Sequence, residues 1–557
     1  MQDHPVYQLS SDIVDELAAA FPDVATEIGI AGHDDRWTDL SPEGSEEILR
    51  KLKVLRRRVG ALPEPQTDWD RLAIQLAKET LDEEASFFEH QDHLRNLNPI
   101  ASALQSLREV WDHMGTETGE DWTNIVYRLE RLPAAIEGYR TSLDEGRRKG
   151  LAVAERQVRS AVEQCRVSAS ANSRLTKLLD THEKQNGAGP LQTRLESAVT
   201  DARLAFVALA DYLADTYATD ATEKDGVGPE RYIRAAYEFL GTNIDPVATY
   251  QWGWQQVAEL SAQMKAVAGE ILPGASMAEV DELLRTDPAR TVPDSDALGV
   301  FVQQRLDDAL DRLAGTHFDV PDRIRTVTVN IAPPGGSLGA YYVGPSEDFT
   351  RPGSVWWSLT PTGPYPVFDE VSTAYHEGFP GHHLQIGTQM SLADKLSRLH
   401  RLWVWKPGSG EGWALYAERF VNELGFFEKP DYVFGWLSGQ MLRACRVVID
   451  IGSHLELPIP DGQPFHPGEQ WTFETAVDML VEYAALGRVY AESEVTRYLG
   501  WPGQAIAYKV GEQAILEMRD GARSRLGAGF DIKAFHARLL EIGPVGLDLL
   551  RSELGGR

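Results

Sequence analysis

The spacing of apolar residues divides the chain into two textures. Up to residue 320 the pattern is helical. SEEILRKLKVLRRRV (45–59) places Ile48, Leu49, Leu52 and Leu55 on one stripe, with basic residues opposite. DWDRLAIQLAKETLDEEASFF (68–88) repeats this with Leu72, Leu76 and Leu81. Further helices are predicted over 121–147, 150–168, 190–216, 229–240, 246–271 and 294–313, with breaks at NGAGP (186–190) and DGVGP (225–229).

After Val320 the period shortens. TVTVNIAP (326–333), GAYYVGP (339–345) and SVWWSLTP (354–361) read as strands, with a turn at PPGGS (333–337). Helical spacing resumes over 413–424, 433–450, 473–486 and 504–519. The expected fold is mainly α, with a small antiparallel sheet just before the chemically informative stretch. Residues 1–320 read as helical scaffold and 321–557 as sheet plus catalytic helices, together one compact catalytic unit.

Composition narrows the classes of partner. With 54 Lys+Arg against 84 Asp+Glu, the net charge of −30 disfavours nucleic acid and anionic membranes, which need clustered cations. Cys165 and Cys445 are too few and too far apart for a disulfide framework or a Cys-rich metal site. No segment approaches the roughly 18 apolar residues of a membrane span, and the opening residues lack a basic stretch leading into an apolar one. A cytoplasmic location is the resulting expectation. Eight of the 14 Trp fall between 351 and 501, which suits either ordinary packing or an aromatic-walled cleft.

The chemistry concentrates in EVSTAYHEGFPGHHLQIGTQ (370–389), where His376, His382 and His383 are three of only 14 histidines. In the H-E-x-x-H pattern two His one helical turn apart hold a metal, and the Glu takes a proton from the attacking water. Here His376 and Glu377 fit, but Pro380 occupies the second ligand position. On a straight helix a residue six further on lies about 120° off the face, and one seven further on is about 10.5 Å along the axis. Pro380 and Gly381 break regular helix geometry. A bulge or break can therefore return a later histidine to His376, and spacing leaves His382 and His383 both open.

A second cluster follows in PGSGEGWALYAERF (407–420), a Gly-rich lead-in to a helix. Glu411 is a candidate third ligand, since a downstream Glu often completes a two-His zinc site. Glu418, two turns later, is a candidate to hold a ligand histidine by its other nitrogen.

HEGFPGHHLQ, EGWALYAE and VTRYLGWPGQAIAYKVG (495–511) together resemble the bacterial family of unknown function 885, similar in turn to the Taq-type M32 metallocarboxypeptidases. Those enzymes carry H-E-x-G-H and, later, a ligand Glu seven residues before another Glu. The resemblance implies an M32-like helical fold with His376, His382 and Glu411 as metal ligands and Glu377 as general base, Glu418 standing behind. It also implies one zinc per chain, cobalt being an alternative, and a possible homodimer. The two extra residues in the motif are the departure from that pattern.

Two further needs are met more loosely. For an oxyanion donor, Tyr508 is the first candidate, with Tyr341 and Tyr342 next. For a cation facing a substrate carboxylate, Arg497 and Lys509 are the candidates. SVWWSLTP is a candidate edge for an extended substrate. The leading expectation is a zinc-dependent carboxypeptidase or dipeptidase acting on short peptides. The alternatives are a peptidase-shaped binding protein without hydrolytic activity and a metal-dependent hydrolase of a small amide metabolite.

Overall fold

A computed structural model describes residues 3–332 and 339–555. The chain forms two compact units, one from Met1–Asp225 with Asp394–Trp403, the other from Gly226–Ala393 with Val404–Arg557. The division falls near the DGVGP break rather than at 320. The change of texture at 320 marks where strands begin. Residues before it already supply packing for the second unit: helix Pro246–Ile271 lies on Pro430–His454, with Gly253 against Val447 and Val448.

The first unit is built by the amphipathic stripes. In helix Pro42–Gly60, Ile48, Leu52 and Leu55 are buried and Leu49 is half-buried. In Asp68–Glu89, Leu72, Leu76 and Leu81 are buried, and the start is fixed by a reciprocal cap between Thr67 and Asp70. A second core gathers helices Gly119–Arg148, Glu155–Ala169 and Pro190–Asp215 around Leu129, Leu132, Val158, Ala202 and Phe206. Helix Pro5–Ala20, absent from the sequence expectation, begins at a proline, where a missing N–H costs nothing.

The second unit carries the sheet. Strand Ser354–Ser358 is central, parallel to Thr328–Ile331 and antiparallel to Gly339–Val343. The sheet is therefore mixed rather than wholly antiparallel, and SVWWSLTP cannot offer a free edge because both of its sides are paired. The PPGGS turn lies outside the described residues. Apolar residues of the sheet (Val355 and Trp357) meet Leu298, Val302 and Leu306 of helix Ser295–Leu313 and Ala374 of helix Glu370–Glu377. The Trp357 indole N–H donates to Glu370 Oε2 at 2.6 Å, which ties the central strand to the start of that helix.

Helix Pro407–Glu423 starts six residues earlier than its hydrophobic pattern suggests, and the Gly-rich lead-in is helical. Those glycines cost helix propensity but permit close packing. A side chain on Gly412 would collide with the backbone of Gly511 in helix Ala507–Leu526, and one on Gly511 with the carbonyl of Gly408. Helices Arg174–Asn186, Met277–Thr286, Arg488–Gly500, Ile532–Ile542 and Leu547–Gly555 are also absent from the sequence expectation. Among the described residues, no helix is long and apolar enough to cross a membrane.

Candidate metal centre

The interrupted motif is two helices, not one bulged helix. Helix Glu370–Glu377 ends when Gly378 donates to the Ala374 carbonyl at 2.8 Å and then leaves helical geometry. Gly381 crosses back over the helix end so closely that a Cβ would collide with the His376 carbonyl. The Trp413 indole N–H fixes this crossing by donating to the carbonyls of Pro380 (3.0 Å) and Gly381 (3.2 Å). A new helix, His382–Ser391, starts at once. The result places the His376 and His382 rings 4.8 Å apart, centre to centre, and nearly perpendicular.

Glu411 completes the group. Its Oε2 lies 3.3 Å from His376 Nε2 and 3.5 Å from His382 Nε2, yet among the described residues this buried oxygen has no hydrogen-bond partner. Two ligands each about 2.0–2.1 Å from a tetrahedral zinc stand roughly 3.3 Å apart. The donor set and its spacing therefore fit a divalent metal better than they fit mutual hydrogen bonds. Glu377 is half-buried, and a carboxylate oxygen of it falls with donor nitrogens of His376 and His382 inside a 4.8 Å group.

Behind the donors, His376 Nδ1 lies 2.7 Å from Glu418 Oε1, and Ser372 Oγ donates to Glu418 Oε2 at 2.6 Å. A buried carboxylate in this position fixes the ring and aims Nε2 at the centre. His382 has no such support, since among the described residues its buried Nδ1 has no hydrogen-bond partner. Its ring instead sits beside Trp405, at 5.7 Å, and the same indole packs over Gly410.

The electrostatics match a crowded acidic site. Burial pulls the His376 imidazole down, but the facing carboxylates of Glu411 and Glu418 outweigh it and push it up to about 10. For Glu411, burial pushes upward, and the two histidines overcome it and hold the carboxyl well below its usual range. Glu377 is raised, chiefly by burial and further by Glu411, while His376, His382 and Arg443 pull the other way.

The other sequence candidates separate cleanly. His383 faces away: its Nδ1 is 3.1 Å from Tyr342 Oη and its Nε2 2.8 Å from the Ile324 carbonyl. Both ring nitrogens are occupied, and burial pulls its pKa down to about 4. Tyr342 is thereby committed to His383, and Tyr341 is 47% exposed on an edge strand. Tyr508 is close enough to Glu411 to be raised by its charge, after burial, and Arg446 stacks on its ring at 4.7 Å. Arg497 and Lys509 are not available to a substrate. Arg497 grips Glu494 with two nitrogens (3.2 and 3.0 Å) and Gln504 with the third (2.8 Å). Lys509 is buried between Gln440 Oε1 (2.6 Å) and Glu512 Oε2 (2.7 Å).

Sequence reasoning missed Ser372, Trp405 and Arg443. A serine one helical turn before His376 is a weak signal, and a lone arginine or tryptophan carries none.

The comparisons with known proteins place the whole chain. The model of the bacterial family of unknown function DUF885 matches residues 22–554. The chain belongs to DUF885. Among curated proteins, none matches it. Two solved structures share the DUF885 chain's fold. The crystal structure of a candidate lipoprotein from Colwellia psychrerythraea is 21% identical, with a TM-score of 0.85, covering 99% of this chain and 98% of that one. A candidate lipoprotein of unknown function from Shewanella oneidensis is 16% identical, with a TM-score of 0.76, covering 98% and 99%. At these identities the likeness shows the fold alone.

Proposed function

We propose that this DUF885 protein is a metal-dependent peptidase of short peptides, with zinc held by His376, His382 and Glu411. One observation carries the reading: a buried Glu411 oxygen without a hydrogen bond, 3.3 and 3.5 Å from two histidine nitrogens. The M32-like resemblance of the motifs points the same way. Zinc, when bound, polarises a carbonyl and lowers the pKa of a water.

The chain's own residues do the rest. His376, buttressed by Glu418 and Ser372, is the rigid donor, and His382 is the donor set by the Gly381 crossing. Glu377, with its pKa raised by burial, accepts the proton of the attacking water and returns it to the leaving amine. Tyr508 offers its hydroxyl to the carbonyl oxygen as negative charge develops there. Pro380 motivated the expectation of a non-hydrolytic binding protein. With His382 beside His376, the proline no longer argues against metal chemistry. The cytoplasm is proposed as its compartment, and the lipoprotein names belong to the two similar structures.

Glu377→Gln tests the mechanism. Metal content by elemental analysis should be unchanged, while hydrolysis of a peptide library, read by mass spectrometry, should disappear. Unchanged turnover would refute the assignment.

A further inference from the structure

A cation stands beside this centre, and among the described residues no carboxylate neutralises it. Arg443 lies on helix Pro430–His454. Its Nη1 donates back to the Gly439 carbonyl at 3.1 Å, and its Nε is buried without a partner. A Cβ on Gly439 would stand 2.8 Å from Nη1, so the glycine leaves the space in which the guanidinium lies. Among the described residues no carboxylate comes within 4.0 Å of it.

Its neighbours on the same helix are all spoken for. One turn before it, Gln440 accepts from Lys509, and one turn after it, Arg446 holds Glu494 at 2.8 Å. Among the described residues Arg443 alone of the three has no side-chain partner, in a protein with 30 more acidic than basic residues. An arginine so placed in an acidic chain normally finds a carboxylate, because bidentate pairing is among the stronger polar contacts available.

Its position relative to the metal donors is set by helix packing. The helix of Arg443 meets the start of the His376 helix where Gly435 touches the backbone of Phe368 and Asp369. From Gly435 to Arg443, and from Asp369 to Glu377, the chain advances by the same number of residues, about 12 Å of helix. The charge of Arg443 acts on Glu377, yet the two groups do not pair. The Arg443 guanidinium and the Glu377 carboxylate are more than 4.0 Å apart, so the proposed base does not neutralise it.

We propose that Arg443 is the specificity-determining residue that binds a free carboxylate of the substrate, making the preferred substrates peptides or acylamino acids with an unblocked C-terminus. This rests on the peptidase reading for the chemistry but not for the binding, and the two fail separately. The guanidinium supplies the cation that Arg497 and Lys509 cannot, since both are consumed by neighbouring glutamates.

The experiment uses the zinc-loaded full chain and calorimetric titration with N-acetyl-phenylalanine and its carboxamide. The wild type should bind the free acid at least about tenfold more tightly than the amide, the value of one charge-assisted hydrogen bond or more. Arg443→Ala should bring that ratio close to one, while Arg443→Lys should retain part of it. Equal zinc content and circular dichroism in all three proteins exclude misfolding as the cause. A wild type that does not discriminate overturns the proposal, as does an Arg443→Ala variant that still does. If the acid preference and its loss are observed but no peptide is hydrolysed, the peptidase reading fails and the carboxylate subsite stands. Where hydrolysis is found, Arg443→Ala should raise KM for free-acid peptides more than it lowers kcat, and an equal fall in kcat on acid and amide substrates would instead tie Arg443 to Glu377 and overturn carboxylate recognition.

Discussion

Arg128 in the first unit is a fully buried charged group and Glu411 in the second has a buried carboxylate oxygen, and their surroundings differ in kind. Arg128 donates to the carbonyls of Arg36 (2.9 Å), His33 (2.8 Å) and Pro22 (3.3 Å) and to Thr26 Oγ1 (2.9 Å), with Trp37 stacked on its guanidinium. Burial pulls its pKa down to about 10, and it remains a cation that staples loop to helix. Glu411 faces two histidine nitrogens at 3.3 and 3.5 Å and bonds to neither through Oε2. A charge met on Nε and Nη2 by three carbonyls and a hydroxyl, even with Nη1 left without a partner among the described residues, stabilises a fold. A charge left short of its neighbours, with its donors converging on one point, leaves room for a further atom.

The most disruptive way to test that contrast is Glu411→Gln. Removing the anionic donor should abolish stoichiometric zinc, measured by elemental analysis after dialysis, while chemical denaturation of the metal-free protein stays close to wild type. Retention of one zinc per chain would mean that the convergence at Glu411 is structural. Arg128→Met should behave in the opposite way. It leaves four acceptors without their donor, so the denaturation midpoint should fall by an amount equivalent to about 3 kcal/mol or more, with zinc content per folded chain unchanged. A loss below about 1 kcal/mol would show that water replaces the guanidinium.

A subtler probe addresses the buttress. Glu418→Gln keeps the shape behind His376 but removes the charge that fixes its ring. Zinc affinity should weaken about ten- to hundredfold, measured by competition with a chelator of known strength. Ser372→Ala should produce a smaller change in the same direction. Unaltered affinity in both variants would show that helix packing alone orients His376.

The parts of this protein legible in the sequence are those written locally. Amphipathic stripes predicted the first unit's longest helices because each buries one face, whereas Pro5–Ala20 and Arg174–Asn186 went unforeseen. The convergence of His376, Glu377, His382 and Glu411 was foreseeable because a motif of His and Glu at short spacing singled them out, and the Pro-Gly pair signalled that the helix had to break. Strand order was not legible, since pairing Thr328–Ile331 in parallel with Ser354–Ser358 depends on contacts remote in sequence. The two cation candidates failed for a reason that was on display. Glu494 precedes Arg497, and Glu512 follows Lys509, by the three residues that place side chains on one helical face, and each pair closed on itself. Arg443 has no acid three or four residues away, and that local absence is the one sequence feature separating it from its rivals.

The smallest effect expected is on acid stability, and it concerns histidines outside the metal centre. His454 donates to the Tyr498 carbonyl at 3.0 Å, and burial pulls its pKa down to about 4. His536 lies between the His317 carbonyl at 3.1 Å and Tyr416 Oη at 2.8 Å, and burial takes it down to about 3. Both are neutral in the fold, whereas an unfolded histidine titrates near 6.5. The unfolded chain therefore binds more protons below that value. The stability each neutral histidine contributes is complete above about pH 6.5 and is lost as the pH falls through the folded value. Between pH 7.5 and 5.5 each should cost about 1 kcal/mol, read from urea midpoints. His536→Gln supplies an amide that can meet the same two partners without titrating, so its midpoint should move less over that interval, by about 1 kcal/mol. A variant with the wild-type pH dependence would show that His536 takes up its proton inside the fold without penalty, which would place it with the backbone-satisfied charge of Arg128.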